Sequence, residues 1–446
     1  MIARLAFAGV LLPGLLAAQA TTRAAPAAPA PFAFADFTWA QGVPRQTTSV
    51  LDSKYFTGEF RLDASYIGDF NHPADHTLVG TSESGRTSEI QVQQLGIGGD
   101  FHTEHALGRL MTQFGMYSTM TPRNDASPSR GQWNLADAYR YISEAYGGYH
   151  WDKWSGINFE AGIFMSYVGL FGYYNFDNWA YQPSYVSSNT PWFFNGLRLQ
   201  VFPSDKLKIE PWLINGWQSY GMFNQSPGYG LQVLWRPTGS LSLLSNSYYG
   251  YDWLGIPGRG RVHSDNSIQV KYLDRPAGLP DKGAFSLTVD AGCENGGGVS
   301  CTGTALGPKQ AFLGFMLYNR FWFAHDRYGL TVGGGAMTNP GRYLVLMPPI
   351  NGATAASGAP SYFTENPGDQ FTAWDASATF DYMPDDFVTF RVEFDHRHAS
   401  VPYFAGPGGV TPPGGNTGAP GSNVPGWTPD LRRTENRINC ALLVKL

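Results

Sequence analysis

Acidic and basic residues recur at every second position along several stretches of this chain. Around Phe56 to Phe70 the odd positions carry Thr57, Glu59, Arg61, Asp63, Ser65 and Asp69. The even positions carry Phe56, Phe60, Leu62, Ala64, Tyr66 and Phe70. The same spacing sets Glu160 against Phe159 and Ala161, and Lys208 and Glu210 against Leu207 and Ile209. It also sets Asp375 and Asp381 against Trp374, Phe380 and Tyr382, and Arg391, Glu393 and Asp395 against Phe390, Val392 and Phe394. Successive side chains of a strand point to opposite faces, so each stretch has one charged face and one apolar face. A face of mixed carboxylates and guanidiniums pairs across strands, and where it lines water it selects ions. The pore-lining candidates are Glu59, Arg61, Asp63, Glu160, Arg198, Lys208, Glu210, Asp265, Lys271, Asp375, Arg391, Glu393 and Arg437. Asp69, Asp290, Asp381 and Asp395 share that face, which makes eleven acids against six bases and points to a weak preference for cations. Facing acidic and basic walls would instead set a transverse field at a constriction.

Bond-breaking chemistry finds little support. There is no G-x-S-x-G, P-loop, H-E-x-x-H or C-x-x-C pattern. His102 and His105 flank a turn, His396 and His398 end a strand, and His72 and His76 flank Asp75 in a loop. Isolated pairs of this kind are more often solvated than metal-bound. His263 beside Ser264 and Asp265, and His150, are the in-strand positions a hydrolase could use, although the spacing does not favour them. The chain therefore reads as a non-enzyme without cofactor or metal. Cys293 and Cys301, in GCENGGGVSC, suit a loop disulfide in an oxidising compartment, while Cys440 acts as a small apolar residue.

The elements that carry these faces follow from composition. Of 446 residues, 54 are Gly and 31 Pro, and charged residues reach only 15%, as do aromatics. That balance favours strands and turns, and 43% hydrophobic residues argue against disorder. A net charge of −5 argues against nucleic acid as a partner. Residues 1–20 (MIARLAFAGVLLPGLLAAQA) combine Arg4, an apolar run and Ala18-Gln19-Ala20, the pattern of a cleaved signal peptide. Residues 21–50 read as an Ala/Pro-rich mobile leader in the periplasm, and 51–446 as the folded unit. Beyond the signal no apolar run is long enough for a helical span.

The alternation predicts strands over 54–70, 88–101, 106–120, 137–151, 156–166, 191–202, 206–218, 228–236, 240–249, 262–273, 284–292, 310–323, 327–336, 370–382, 387–397 and 434–446. A tilted transmembrane strand needs about 9–11 residues, longer than an ordinary strand. Short turns such as Pro203-Ser204-Asp205 and Pro237-Thr238-Gly239 alternate with long connections. Bacterial outer-membrane barrels show this asymmetry and an even strand number. The fold class is thus all-β, one transmembrane antiparallel barrel of about sixteen strands (14–18). Tyr139, Tyr141, Tyr149, Trp151, Trp235, Tyr272, Trp374 and Tyr382 stand near strand ends as interfacial girdles. The loop 167–190, rich in Tyr, Trp and Asn, either folds inward as the constriction or faces outward.

A family resemblance adds to this. From Glu160 the chain reads EAGIFMSYVGLFGYYNFDNWAYQPSYVSS, and an Ala-Gly strand, then Asn178-Trp179-x-Tyr181 and Ser184, resembles the putative β-barrel porins called OmpL-like. Asn195-Gly196-Leu197-Arg198 and Asn215-Gly216-Trp217 extend the likeness. The chain departs from such barrels in ending on Leu446 rather than an aromatic, and in following Gly169 with Leu170 rather than an acid. The resemblance implies an outer-membrane channel. The expected function is passive diffusion of small hydrophilic solutes. Expected partners are the lipid bilayer, lipopolysaccharide and the barrel-assembly machinery, with a homotrimer as the oligomeric option. The rival readings are a plugged structural or adhesive barrel, an outer-membrane hydrolase, and a soluble secreted β-protein.

Overall fold

The computed structural model describes residues 30–42, 46, 49–81, 84–305, 307–343, 350–352 and 370–446. Residues 1–20, expected as a signal peptide, and residues 21–29 of the expected leader lie outside these. The first eight strands are β1 (Phe56–Asp69), β2 (Ile90–His102), β3 (Ala106–Thr112), β4 (Ile142–Trp151), β5 (Ile157–Met165), β6 (Phe193–Ser204), β7 (Leu207–Ile214) and β8 (Gly228–Thr238). There follow β9 (Leu241–Gly250), β10 (Gly260–Asp274), β11 (Lys282–Asn295), β12 (Ala311–Phe323), β13 (Tyr328–Asn339), β14 (Phe371–Tyr382) and β15 (Val388–Ala399). A small ladder of β16 (Phe404–Ala405) and β17 (Leu431–Arg432) precedes the last strand, β18 (Thr434–Lys445). Strands β1–β15 and β18 pair antiparallel with their neighbours in one ring of sixteen, and β18 closes it between β15 and β1. Closure leaves no edge strand, the condition for placing a sheet in hydrocarbon. No described helix is long and apolar enough to cross a membrane, so the strands make the crossing.

The two-residue period becomes two surfaces. On β12 Leu313, Phe315 and Leu317 are exposed, and Phe312, Met316, Tyr318 and Arg320 between them are buried. On β15 Phe390, Val392 and Phe394 are exposed, and Arg391, Glu393, Asp395 and Arg397 are buried. The apolar side faces lipid and the charged side faces the lumen, the reverse of a soluble sandwich. The short turns gather at one end, where Tyr149, Trp151, Trp235, Tyr272 and Tyr382 are exposed. In the long connection after β11, Cys293 and Cys301 are disulfide-bonded, with Cα atoms 5.2 Å apart. Cys440 is exposed on the outer face.

Three expected boundaries are corrected. The strand expected over 106–120 stops at Thr112, after a register shift at Met111/Thr112, and Tyr117–Met120 is a helical turn, α1. The strand expected from 137 starts at Ile142, because Leu135–Tyr139 is a short helix, α2, capped where the Asn134 side chain accepts from Ala136 N. Tyr139 therefore packs against Tyr220, ring centres 5.4 Å apart and tilted by 53°, instead of joining a girdle. The strand expected to 218 ends at Ile214, since Asp125 Oδ1 accepts from Ser219 Oγ and Tyr220 N and holds that segment in a loop.

A charge on the lipid face tests the orientation. Leu317→Arg, at the middle of β12, is expected to destabilise the folded barrel by about 2–4 kcal/mol, and Tyr382→Arg at the short-turn rim by about 0–1 kcal/mol. Reversible denaturation in lipid vesicles reads both, and equal costs would contradict the placement.

Candidate functional site

The lumen is organised by one segment. Residues 167–190, between β5 and β6, leave the wall and cross the barrel. The Asn178 side chain forms its bend, accepting from Gly172 N at 2.8 Å and donating to Gly172 O at 2.9 Å. Ser184 caps the helical turn Tyr185–Ser188, α3. Tyr174, Trp179, Tyr181 and Tyr185 are all buried. Of the two placements open from the sequence, the structure has the inward one.

The far wall, built by β12, β14, β15, β18 and β1, receives the segment through charged side chains. Arg391 donates to Asn175 O and Asn178 O (3.2 and 3.0 Å) while its other edge pairs with Asp381 at 2.6 and 3.0 Å. The Glu393 carboxylate accepts from Tyr181 N and Gln182 N, and also from Thr379 Oγ1 and Asn439 Nδ2. Asp375 Oδ2 accepts from Ser184 Oγ at 2.7 Å and Tyr185 N at 3.1 Å. Arg397 donates to Pro183 O, Arg437 to Gln182 Oε1, and Tyr181 OH to Asp63. A segment shut away from water must pair its backbone groups, and here the wall charges do it.

Each candidate residue lies on the strand face opposite the exposed apolar side chains. Asp63, Asp375, Arg391, Glu393 and Arg437 meet at the docking wall. Glu59 pairs with Arg61 and with Arg109, which also holds Asp100 and Glu144 at 2.9 and 3.0 Å. Arg61 lies over the Tyr174 ring at 4.0 Å. Glu160 pairs with Arg198, and Lys208 with Glu210 at 2.9 Å. Lys271 pairs with Asp274 near the short turns. Asp265 stands apart, accepting from Asn246 Nδ2.

Arg109, Arg320 and Arg397 are absent from the candidates, and Tyr181 and Ser184 enter the sequence reading only through the family likeness. Arg397 has the same parity as Arg391 and Glu393 and closes the expected strand 387–397, so the inward face already reaches it. Arg320 sits in a stretch with large apolar residues on both faces, which hides the alternation.

The hydrolase candidates separate. His263 is buried beside Asp290, Nε2 to Oδ1 2.6 Å, whereas Ser264 lies on the other face with Asn266. His396 bonds Asn436, His398 contacts Thr434, and His76 contacts Thr87 O. Among the described residues no three His, Cys, Asp or Glu side chains gather as a metal site.

The leader is corrected in part. Residues 30–42 do not stand clear of the fold: Trp39 is 1% exposed and packs in the same apolar cluster as Trp179 and Trp322. Its three Phe and one Trp within eight residues, Phe32 to Trp39, outweigh the Ala/Pro composition that suggested mobility.

A family model described as "Putative beta-barrel porin-2, OmpL-like" matches residues 56–418. The chain belongs to this family. It is an outer-membrane β-barrel of porin type. Among solved structures it is similar to OmpT of Vibrio cholerae, with 9% identity and a TM-score of 0.49 over 90% of this chain and 100% of that one. It is also similar to the outer membrane channel DcaP of Acinetobacter baumannii, with 11% identity and a TM-score of 0.47 over 90% and 100%. OprB of Pseudomonas putida shows 11% identity and a TM-score of 0.49 over 88% and 94%. A search of the curated proteins returns no match.

At the outer mouth Asp75 ties two connections together. Its carboxylate accepts from Val410 N at 2.9 Å and from Thr411 Oγ1 at 2.6 Å. Partial burial opposes ionisation there, but the hydrogen bonds from Thr411, Val410 and Thr77 outweigh it and hold the carboxyl below its ordinary 3.8.

Two outcomes follow from these contacts. Because the folded value is lowered, the Asp75 tie is intact above pH 3.8 and is lost as pH falls through the lower folded value. The protection factor of the Val410 amide, taken against its intrinsic exchange rate at each pH, should therefore fall on acidification, and Asp75→Asn should abolish that dependence. Glu393→Gln turns an amide N–H₂ toward groups that themselves donate, at a local cost of about 1–3 kcal/mol. Limited proteolysis should then cut within 167–190 faster while the barrel stays folded.

Proposed function

We propose that the chain is an outer-membrane channel for the passive diffusion of small hydrophilic solutes, with a weak preference for cations. The observation that carries this is the docked segment 167–190: a ring of sixteen strands, wide enough for an aqueous lumen, is narrowed from inside by a loop held on ionic side chains. Family membership supports the channel class. The thirteen candidates from Glu59 to Arg437 are its pore-lining residues, some braced as pairs and others holding the loop. The surplus of acids over bases on that face supports the cation preference.

Residues 1–20 are a cleaved signal, and the barrel-assembly machinery and lipopolysaccharide are its partners in the outer membrane. A trimer form is described for OmpT, which supports a homotrimer as the assembly here. A second reading, the plugged barrel, is favoured by the burial of the docking contacts, with Asp63, Asp381, Arg391, Glu393 and Arg437 all at 0–1% exposure.

Folded, inserted protein in a planar bilayer under a salt gradient separates the two. Discrete conductance steps with a small cation-directed reversal potential are expected. An anion-directed reversal refutes the selectivity, and silence from inserted protein refutes the channel.

A further inference from the structure

Residues 30–42 cross the mouth at the short-turn end. Phe32 N donates to Asp205 O (2.7 Å) in the turn between β6 and β7. The Arg236 guanidinium sits over Phe32 and Phe37, at 5.0 and 4.4 Å from their ring centres. Trp39 Nε1 donates to Gly239 O (3.1 Å) in the turn between β8 and β9. The chain then passes inward. Ala40 O accepts from Gln269 Nε2 of β10, and Gly42 O from the Arg320 guanidinium of β12, at 2.9 and 3.0 Å. On the far side Gln46 Nε2 donates to Lys445 O (2.7 Å) at the end of β18. The contacts of residues 30–42 therefore run from the β6–β9 turns to β10 and β12, and Gln46 meets β18 near the β18/β1 seam.

At its inner end this strap meets the crossing loop. Gly42 N donates to Asp177 O (3.0 Å), and Arg320 reaches both Gly42 O and Trp179 O. The approach is so close that a Cβ at position 42 would stand 1.9 Å from Asn178 O. Only glycine fits there.

Two features separate the strap from the barrel it occupies. None of the sixteen barrel strands pairs with it, since its contacts are to turns, side chains and the loop, so its departure would break no ladder. The family match begins at residue 56, downstream of it.

We propose that residues 30–42 are a built-in plug: the short-turn mouth is a docking surface whose occupant is this chain's own segment, and its release enlarges the path. Trp39 is the anchor, and Gly42 with Arg320 is the latch to the inner loop. The proposal rests on the channel reading, and its test is chosen to fail separately from it.

The test compares single-channel conductance of the full chain, a variant lacking residues 30–42, and Gly42→Ala. Folding of each is checked by heat-modifiable migration. The deletion is expected to raise conductance several-fold, and Gly42→Ala to raise it or the open fraction. A synthetic peptide of residues 30–42, added on the short-turn side of the deletion variant, is expected to restore the block. Equal conductance of all three proteins overturns the plug and leaves the channel standing. Block by a scrambled peptide, or equally from either side, overturns the docking surface. Silence from all three inserted proteins overturns the channel and the plug together.

Discussion

Everything in this molecule depends on the requirement that a backbone in hydrocarbon pair every N–H and C=O within the protein. A sheet meets it only by closing, and here the closing contact is β18 against β1, joining Arg61–Asp69 to Arg437–Lys445. Once the ring is shut, the strand period does the rest. One residue faces lipid and the next faces the lumen, so the sequence must alternate between apolar and polar along every crossing. The charged inner face is a consequence of that geometry before it is a device for ions.

The same requirement returns inside the lumen. A loop placed there loses water and must find new partners for its peptide groups. The wall supplies them with Arg391, Arg397, Glu393 and Asp375, whose charges would themselves be costly to bury unpaired. Loop and wall thus solve each other's desolvation. Asp381 shows the economy of the arrangement: its two oxygens pair with Arg391 and Arg320, and each guanidinium keeps N–H groups free to bond peptide carbonyls.

The barrel was legible because its signal is periodic and local. All sixteen expected strands overlap an observed one, and the errors fall where helices or loop hydrogen bonds replace the ladder, at α1, α2 and Trp217–Tyr220. The lumen was legible in part. Parity places Arg391 and Glu393 on the inner face, but no spacing tells that their partners lie at Asn175 to Gln182, more than two hundred residues away. The segment 30–42 was misjudged because composition averaged its aromatics into an Ala/Pro-rich stretch. Burial of Trp39 and partial burial of Phe37 are decided by the turns and the Arg236 guanidinium they meet, which no local pattern encodes.

Arg320 gives these two occupants of the lumen a common fate. It is fully buried, and its NH1 and NH2 nitrogens bond Asp381, Thr331, Trp179 O and Gly42 O. The loop and the strap therefore draw on one cation that the wall must neutralise in either case. If the strap leaves, Arg320 loses an acceptor that the protein must replace by water or by a tighter hold on the loop. If the loop shifts at Asp177, the strap loses the acceptor of its Gly42 amide. A hydrogen-bonded network with a shared central group does not divide into independent parts, since removing one partner changes what the others are worth. The loop and the strap are physically one structure, joined at Arg320 and, through Asp381, to the Arg391 that holds the loop.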